Sequence, residues 1–436
     1  MIWSACRSDR RESKAGPGPL FLFELHPFQI NLRNARPAVS KRAVSTQQIH
    51  HPYRAPEGWD AHPVGVFKAS TVLFKDTADL HTYRPRDGKS YRYGLHGTPT
   101  SYTLAARIAT LETAEHCLLV PSGLAAVTLV SLGLLRPGDE VLVPDNVYGQ
   151  NRYLSESLLP QFGITHRFYD PLDAAGLAAM LSPKTKLVWL EAAGSITLEF
   201  PDVLGIVAAC KQQGVLTAMD NTWGSGLAFN AFELAPGLGV DVSMQALTKY
   251  ASGGADVLMG SVCTRDLALH ERLNHMHEHL GYGLGQNDVE LVLRALPTLE
   301  LRYRAQDATT RALAKWMQAR PEVAQVLHPA LAGSPGHEYW LQTSSAGAAC
   351  LFSVIFKPEY SAAQVDAFVD ALELFGIGYS WAGPMSLAVP YDMSRSRALP
   401  SKLEPGRIVR FALGLEDVAD LQADLAQALS QLSAGA

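Results

Sequence analysis

The chain is short of several things, and each shortage narrows what it can do. Its five cysteines (Cys6, Cys117, Cys210, Cys263, Cys350) are few for 436 residues, odd in number and scattered, with no C-x-x-C pair. That pattern points to a reducing compartment, a cytoplasmic protein, and thiols acting as small core residues. Charge is also scarce: 18% of residues are charged, and the formal net charge is −5. A general nucleic-acid binder needs a basic surface to displace counterions, so no nucleic-acid partner is expected. Long apolar runs are missing as well. The longest, "LLVPSGLAAVTLVSLGLL", is broken by Pro121, Ser122 and Gly123 and divides into a strand and a helix. No membrane partner is expected from it.

What remains is the composition of a globular protein, 47% hydrophobic, in a chain long enough for two domains. Residues 1–44 differ from the rest: "ACRSDRRESKAGPGP" is basic, marked by Gly and Pro, and without period. It reads as a disordered extension, a targeting segment or a start-site artefact; Asp9, Glu12 and Glu24 weigh against a transit peptide. Residues 45–97 form an arm. From about 98 to 297, apolar strand candidates ("HCLLVPS", "DEVLVP", "ITHRFYD", "TKLVWLEA", "VLTAMDN", "VDVSMQA", "VLMGSVCT") mostly alternate with helical segments. Uninterrupted apolar strands between helices predict an α/β fold, a large, mainly parallel sheet with helices on both faces. From 298 to 436, "SAGAACLFSVIF" and "GRIVRFALG" read as strands, and "AAQVDAFVDALELFG" and "DVADLQADLAQALSQL" as helices, giving a smaller α+β domain.

In an open parallel sheet the ligand sits beyond the carboxyl ends of the strands. Three such ends carry chemistry here. In "VPSGLAA", Ser122, Gly123 and Leu124 turn from strand into helix, where free N–H groups suit a phosphate. In "TAMDNTW", Asp220 ends an apolar strand, either as a helix N-cap or as a working acid. In "LTKYASGG", Lys249 follows Thr248 where another strand runs out; alone, such a lysine usually snorkels. Together they are the parts that pyridoxal 5′-phosphate needs. The lysine holds the aldehyde, the acid keeps the pyridine nitrogen protonated, and the helix start and the Thr248 hydroxyl take the phosphate.

The motifs "YGLHGTPT", "PSGLAAV", "VYGQN", "LEAAGSITLE", "DNTW", "LTKY", "LAGSPGHEYW", "YSWAG" and "VRFALGLED" follow in the order of a known family. The chain resembles the Cys/Met-metabolism group of fold-type I PLP-dependent enzymes, within it the bacterial cystathionine β-lyases, from about Thr46 to the last helix. The resemblance implies that Tyr148 stacks on the cofactor and that Tyr93 reaches into the neighbouring subunit's site. It implies that Arg410 clamps the substrate α-carboxylate, with Ser380 and Trp381 lining the pocket. It also implies a homo-oligomer, a dimer of dimers with shared sites. "YSW" and "GSIT" resemble the β-lyases more than the γ-synthases and γ-lyases. The expected reaction is therefore cleavage of cystathionine to homocysteine, pyruvate and ammonia, with Lys249, Tyr148 and Asp220 as its catalytic groups. A γ-lyase or γ-synthase, a cysteine desulfhydrase and an amino-acid racemase side activity are the alternatives within the family.

The chain departs from the family at Leu95, where an arginine for the phosphate is usual, and at Gly254 and Ala255, which replace "HS". Ala246 lacks a hydroxyl that many relatives carry. Two competing readings are weaker. "HMHEH" (His275, His277, His279) lacks the further ligands of a metal site, so no metal is expected. "GYGLGQ" lacks the preceding strand of a dinucleotide fingerprint, which disfavours an NAD-linked oxidoreductase.

Overall fold

The computed structural model describes residues 42–50, 63–82, 91–343, 347–393, 397–400 and 402–433. The extension expected over 1–44 lies almost wholly outside the described residues, and its last residue, Val44, opens a short helix, Val44–Ile49. Seven strands form the large sheet: β1 (His116–Val120), β2 (Glu140–Pro144), β3 (Thr165–Tyr169), β4 (Thr185–Glu191), β5 (Leu216–Asp220), β6 (Val242–Gln245) and β7 (Gly260–Thr264). Their order is β1-β7-β6-β5-β4-β2-β3. β2 to β6 run parallel, while β7 is antiparallel to both β6 and β1.

The apolar runs become strands because both faces of this sheet are covered. Along β4, Leu187 and Trp189 join one core while Val188 and Leu190 join the other, the period-two alternation of a pleated strand. The helices start where their sequence provides caps. Thr98 and Ser101 form a capping box ahead of Pro99–Glu112, with Pro99 in the first turn. Ser122 caps Gly123–Leu134, its hydroxyl accepting the Ala125 N–H at 3.0 Å.

The second sheet has the order β10-β11-β12-β9-β8, from β8 (Val323–Leu327), β9 (Leu351–Phe356), β10 (Gly376–Ile377), β11 (Leu387–Tyr391) and β12 (Ile408–Ala412). Only its β10–β11 pair is parallel. Its core includes Phe352, Phe356, Phe368 and Phe411, beneath the helix Val418–Ser433. Both sheets fall within one compact unit, Lys41–Ala436. The helix expected through "AAQVDAFVDALELFG" stops at Asp370. The Asp424 carboxylate accepts the N–H groups of Glu373 (2.9 Å) and Leu374 (2.8 Å), which draws those residues out of the helix.

Candidate active site

The carboxyl ends of β2, β4, β5 and β6 open on one rim. Asp220 closes β5 there and is half-buried. Its Oδ1 accepts both the N–H (3.0 Å) and the hydroxyl (2.5 Å) of Thr222, an Asx turn that leaves Oδ2 without a partner among the described residues. The Thr222 hydroxyl in turn accepts the Ala246 N–H at 2.8 Å, tying the ends of β5 and β6 together. Burial pushes the Asp220 carboxyl up, while the two Thr222 bonds and the Lys249 charge pull it back.

Lys249 lies on the loop four residues beyond β6. Its Nζ donates to Ser380 Oγ at 2.7 Å and lies 5.6 Å from the Trp381 ring centroid. Burial lowers the ammonium to about 8; the Arg410 charge works in the same direction and the Asp220 charge against it. A lysine so tuned is partly neutral at physiological pH, as a nucleophile or base must be.

Ser380 takes a left-handed backbone with φ of 93°, uncommon for a residue with a side chain. That conformation supports two contacts at once, its hydroxyl on Lys249 and its carbonyl toward Arg410 Nη2 at 3.5 Å. Arg410 sits in the middle of β12, only 6% exposed. Its Nη1 donates to the Ser195 carbonyl at 3.2 Å, while its Nε–H is buried with no partner among the described residues. The "GSIT" loop that supplies this carbonyl is fixed from both sides. The Ser195 N–H donates to the Asn146 carbonyl at 3.0 Å, and Ser353 of β9 donates to the Ile196 carbonyl at 2.6 Å. Gly194 is required in that loop, since a Cβ there would lie 2.1 Å from Asn146 Nδ2.

Ser122, Gly123 and Leu124 occupy the start of their helix as the sequence predicts, with the opening N–H groups outside the helical ladder. Gly123 lets the helix approach β6, because a Cβ would lie 2.7 Å from that of Ala246. Thr248 is placed less simply. Its hydroxyl donates to the Met259 carbonyl at 3.2 Å and accepts the Met259 N–H at 3.1 Å, so a phosphate role requires its proton to turn away from that carbonyl. Tyr148 stands half-exposed at the start of its helix, near enough to Asp220 and Glu191 to feel both charges.

Tyr93 is 47% exposed, its ring 6.3 Å from that of His96. Leu95 packs on the "GYGLGQ" loop, where a Cβ on Gly283 would lie 3.1 Å from its Cδ1. That loop joins two helices, Leu267–Leu280 and Gln286–Ala295, and no strand leads into it. Of the three "HMHEH" histidines, His277 turns inward to the Leu119 carbonyl at 2.8 Å, while the rings of His275 and His279 lie 4.3 Å apart, tilted by 58°. Among the described residues no group of three His, Cys, Asp or Glu side chains is arranged to hold a metal.

Sequence reasoning missed Glu191. It ends β4 directly opposite Asp220 in the β4–β5 register and accepts the Tyr148 N–H at 2.7 Å. Burial, then the Asp220 charge, raises its carboxyl well above the ordinary range. The signal was available, since an acid closing the apolar run "TKLVWLE" is the same clue that exposed Asp220.

The family model for Cys/Met metabolism PLP-dependent enzymes matches residues 45–430. The chain belongs to this family. A protein named putative cystathionine β-lyase from Rhizobium johnstonii is 39% identical over 373 residues, covering 85% of this chain and 91% of its own. The L-alanine/L-glutamate racemase of Wolbachia pipientis wMel is 33% identical, covering 84% and 92%. Among solved structures, cystathionine γ-synthase from Xanthomonas oryzae pv. oryzae, in complex with cystathionine, superposes with a TM-score of 0.81 at 28% identity, covering 91% of this chain and 100% of that one. Family membership bears out the expected fold, and the cofactor is pyridoxal 5′-phosphate, with an amino acid as substrate. The residues present fit that cofactor. An amine tuned to about 8, a carboxylate oxygen left without a partner and a glycine-opened helix start share one rim.

Proposed function

We propose that the protein is a carbon–sulfur β-lyase that cleaves cystathionine to homocysteine, pyruvate and ammonia. The observation that carries this reading is the convergence of Lys249, Ser380 and Arg410: a proton-accepting amine hydrogen-bonded to a serine whose carbonyl faces a buried guanidinium with an unpaired Nε–H. Pyridoxal 5′-phosphate, when bound, supplies an aldehyde for amines and a protonated ring that acidifies the α-carbon of an amino acid.

Around it each residue has its task. Lys249 would hold the cofactor, and its Nζ, when neutral and free, would take the α-proton of the substrate. Asp220 uses its open Oδ2 to keep the ring nitrogen protonated. Ser122, Gly123, Leu124 and Thr248 receive the phosphate, and Tyr148 covers the ring. Arg410 presents its Nε and Nη2 edge to the α-carboxylate, a planar fork matched to two oxygens. Ser380 and Trp381 wall the pocket beside Lys249. The departing thiolate takes its proton from Lys249 or Tyr148.

The assembly belongs to the same reading: a homo-oligomer, a dimer of dimers, in which Tyr93 completes the neighbour's site. The arm that carries Tyr93 exposes Val66, Phe67 and Leu73, the last 90% exposed, which supports burial against a second copy. A cytoplasmic location agrees with four free cysteines among the described residues. The test is incubation of the holoenzyme with cystathionine and, separately, with L-alanine. Homocysteine with pyruvate supports the proposal. Cysteine with 2-oxobutyrate marks a γ-lyase, and D-alanine with cystathionine left intact marks a racemase.

A further inference from the structure

We propose that Tyr391 is a positioning residue for substrate binding. Its ring covers one face of the Arg410 guanidinium and fixes the plane in which that group's free edge meets the α-carboxylate. The inference rests on the reading of Arg410 as the carboxylate site.

The register places the two side chains together. On β11 Val389 lies directly opposite Arg410, and Tyr391, two residues on, shares the face of Val389. Tyr391 is therefore the diagonal neighbour of Arg410, within reach of a long side chain. The Arg410 Cζ lies 5.3 Å from the Tyr391 ring centroid, in the range of a cation–π contact. The ring has its own support, packing with Ile196, Met393 and Leu403 against Leu327, Ile355 and Ile408. It is thus a fixed wall.

Arg410 needs such a wall. Its two protein hydrogen bonds measure 3.2 and 3.5 Å, the first at the long end of the N–H···O range and the second beyond it, and both go to carbonyls of irregular segments. Two weak bonds leave the guanidinium plane free to rock, and rocking breaks one of the two parallel bonds to a carboxylate. A ring beside it, its centroid 5.3 Å from Cζ, limits that rocking and keeps water away on that side, which strengthens the charge-assisted bonds along the edge. Ser353 stands opposite Arg410 on the other side, in β9, but spends its hydroxyl on the Ile196 carbonyl and so gives the guanidinium nothing.

The experiment compares holoenzyme carrying Tyr391→Leu, Tyr391→Met, Tyr391→Phe or Arg410→Lys. Three quantities are read: KM and kcat for cystathionine, and the Ki of propionate, a carboxylate without an amine, as competitive inhibitor. Thermal melting checks folding, and Tyr391→Met, which keeps more bulk, serves if the leucine variant does not fold. Expected are a rise of about tenfold in KM and in propionate Ki for the leucine or methionine variant, with kcat changed less than about threefold. Tyr391→Phe should keep both constants within about twofold of the parent, because the ring face and not the hydroxyl acts. Unchanged constants in the leucine or methionine variant, beside raised ones in Arg410→Lys, overturn the inference and leave the carboxylate reading standing. A phenylalanine variant as impaired as the leucine one also overturns it. Propionate inhibition unaltered in Arg410→Lys removes the carboxylate reading and the inference together.

Discussion

On the large sheet, Asp220 ends β5 and Lys249 follows the end of β6, and these are neighbouring parallel strands. Their place on one rim follows from connectivity alone, since every parallel strand leaves the sheet on the same side. The small sheet works differently. Arg410 lies inside β12, with Ser353 and Val389 at its sides, and reaches the site only because that sheet packs against the "GSIT" loop. Ser380 belongs to no strand and holds its contacts through a left-handed backbone. The proposed reacting groups are thus placed by topology and the proposed recognition groups by packing and local strain. Substitutions on the first side should therefore cost chemistry, and those on the second should cost binding or geometry.

The sharpest test of that division is Lys249→Ala. It should lower kcat with cystathionine by about 10³-fold or more, in line with the loss of a positioned acid–base group. The melting temperature should not fall, because a half-buried amine held below its ordinary range is no source of stability. A variant with a kcat within tenfold of the parent would end the assignment.

Asp220→Ala should come next, with kcat down by about 10²-fold. The lost charge-assisted bond is worth roughly 1.5–3 kcal/mol in the ground state and more as charge develops. If its kcat stayed within threefold, Asp220 would be only the anchor of the Thr222 turn.

Titration gives a change of about tenfold. With Lys249 at about 8, its neutral fraction rises as pH increases, so capture of added pyridoxal 5′-phosphate by cofactor-stripped enzyme should speed up about tenfold from pH 7 to pH 9. Stopped-flow absorbance would follow it. A rise of about a hundredfold over that span would show that the amine is not held down.

Ser380 tests the strained side, with the smallest expected effect. Ser380→Ala keeps the strain and loses the bond to Lys249, so kcat should drop by about three- to tenfold. Ser380→Gly loses the same bond but relieves a backbone at φ of 93°, and should be more stable than the alanine variant by about 1 kcal/mol in denaturant titration. Equal stabilities would mean the strain is negligible.

The β-strand ends were legible in the sequence because an acid or lysine closing an apolar run is costly unless it is used, and Asp220 and Lys249 stood out for that reason. Glu191 carried the same signal. Arg410, Ser380 and Trp381 were legible only through family resemblance, since no local pattern distinguishes Arg410 from any strand arginine. Tyr391 gave no sign at all; its role depends on which residue of β12 its strand faces, and register is a property of the paired sheet. The antiparallel turn of β7 and the early end of the helix at Asp370 were hidden for a similar reason, because each is set by a partner distant in the chain, β1 and β6 in one case and Asp424 in the other. By itself the sequence determined most of the elements and pointed to Asp220 and Lys249 as the proposed reacting groups, consequences of local period and of the cost of burying charge. Tertiary structure alone decided the tuning of Lys249, the contacts of Arg410 and the wall beside it, because the first two arise where the small sheet meets the loops of the large one and the third from strand register within the small sheet.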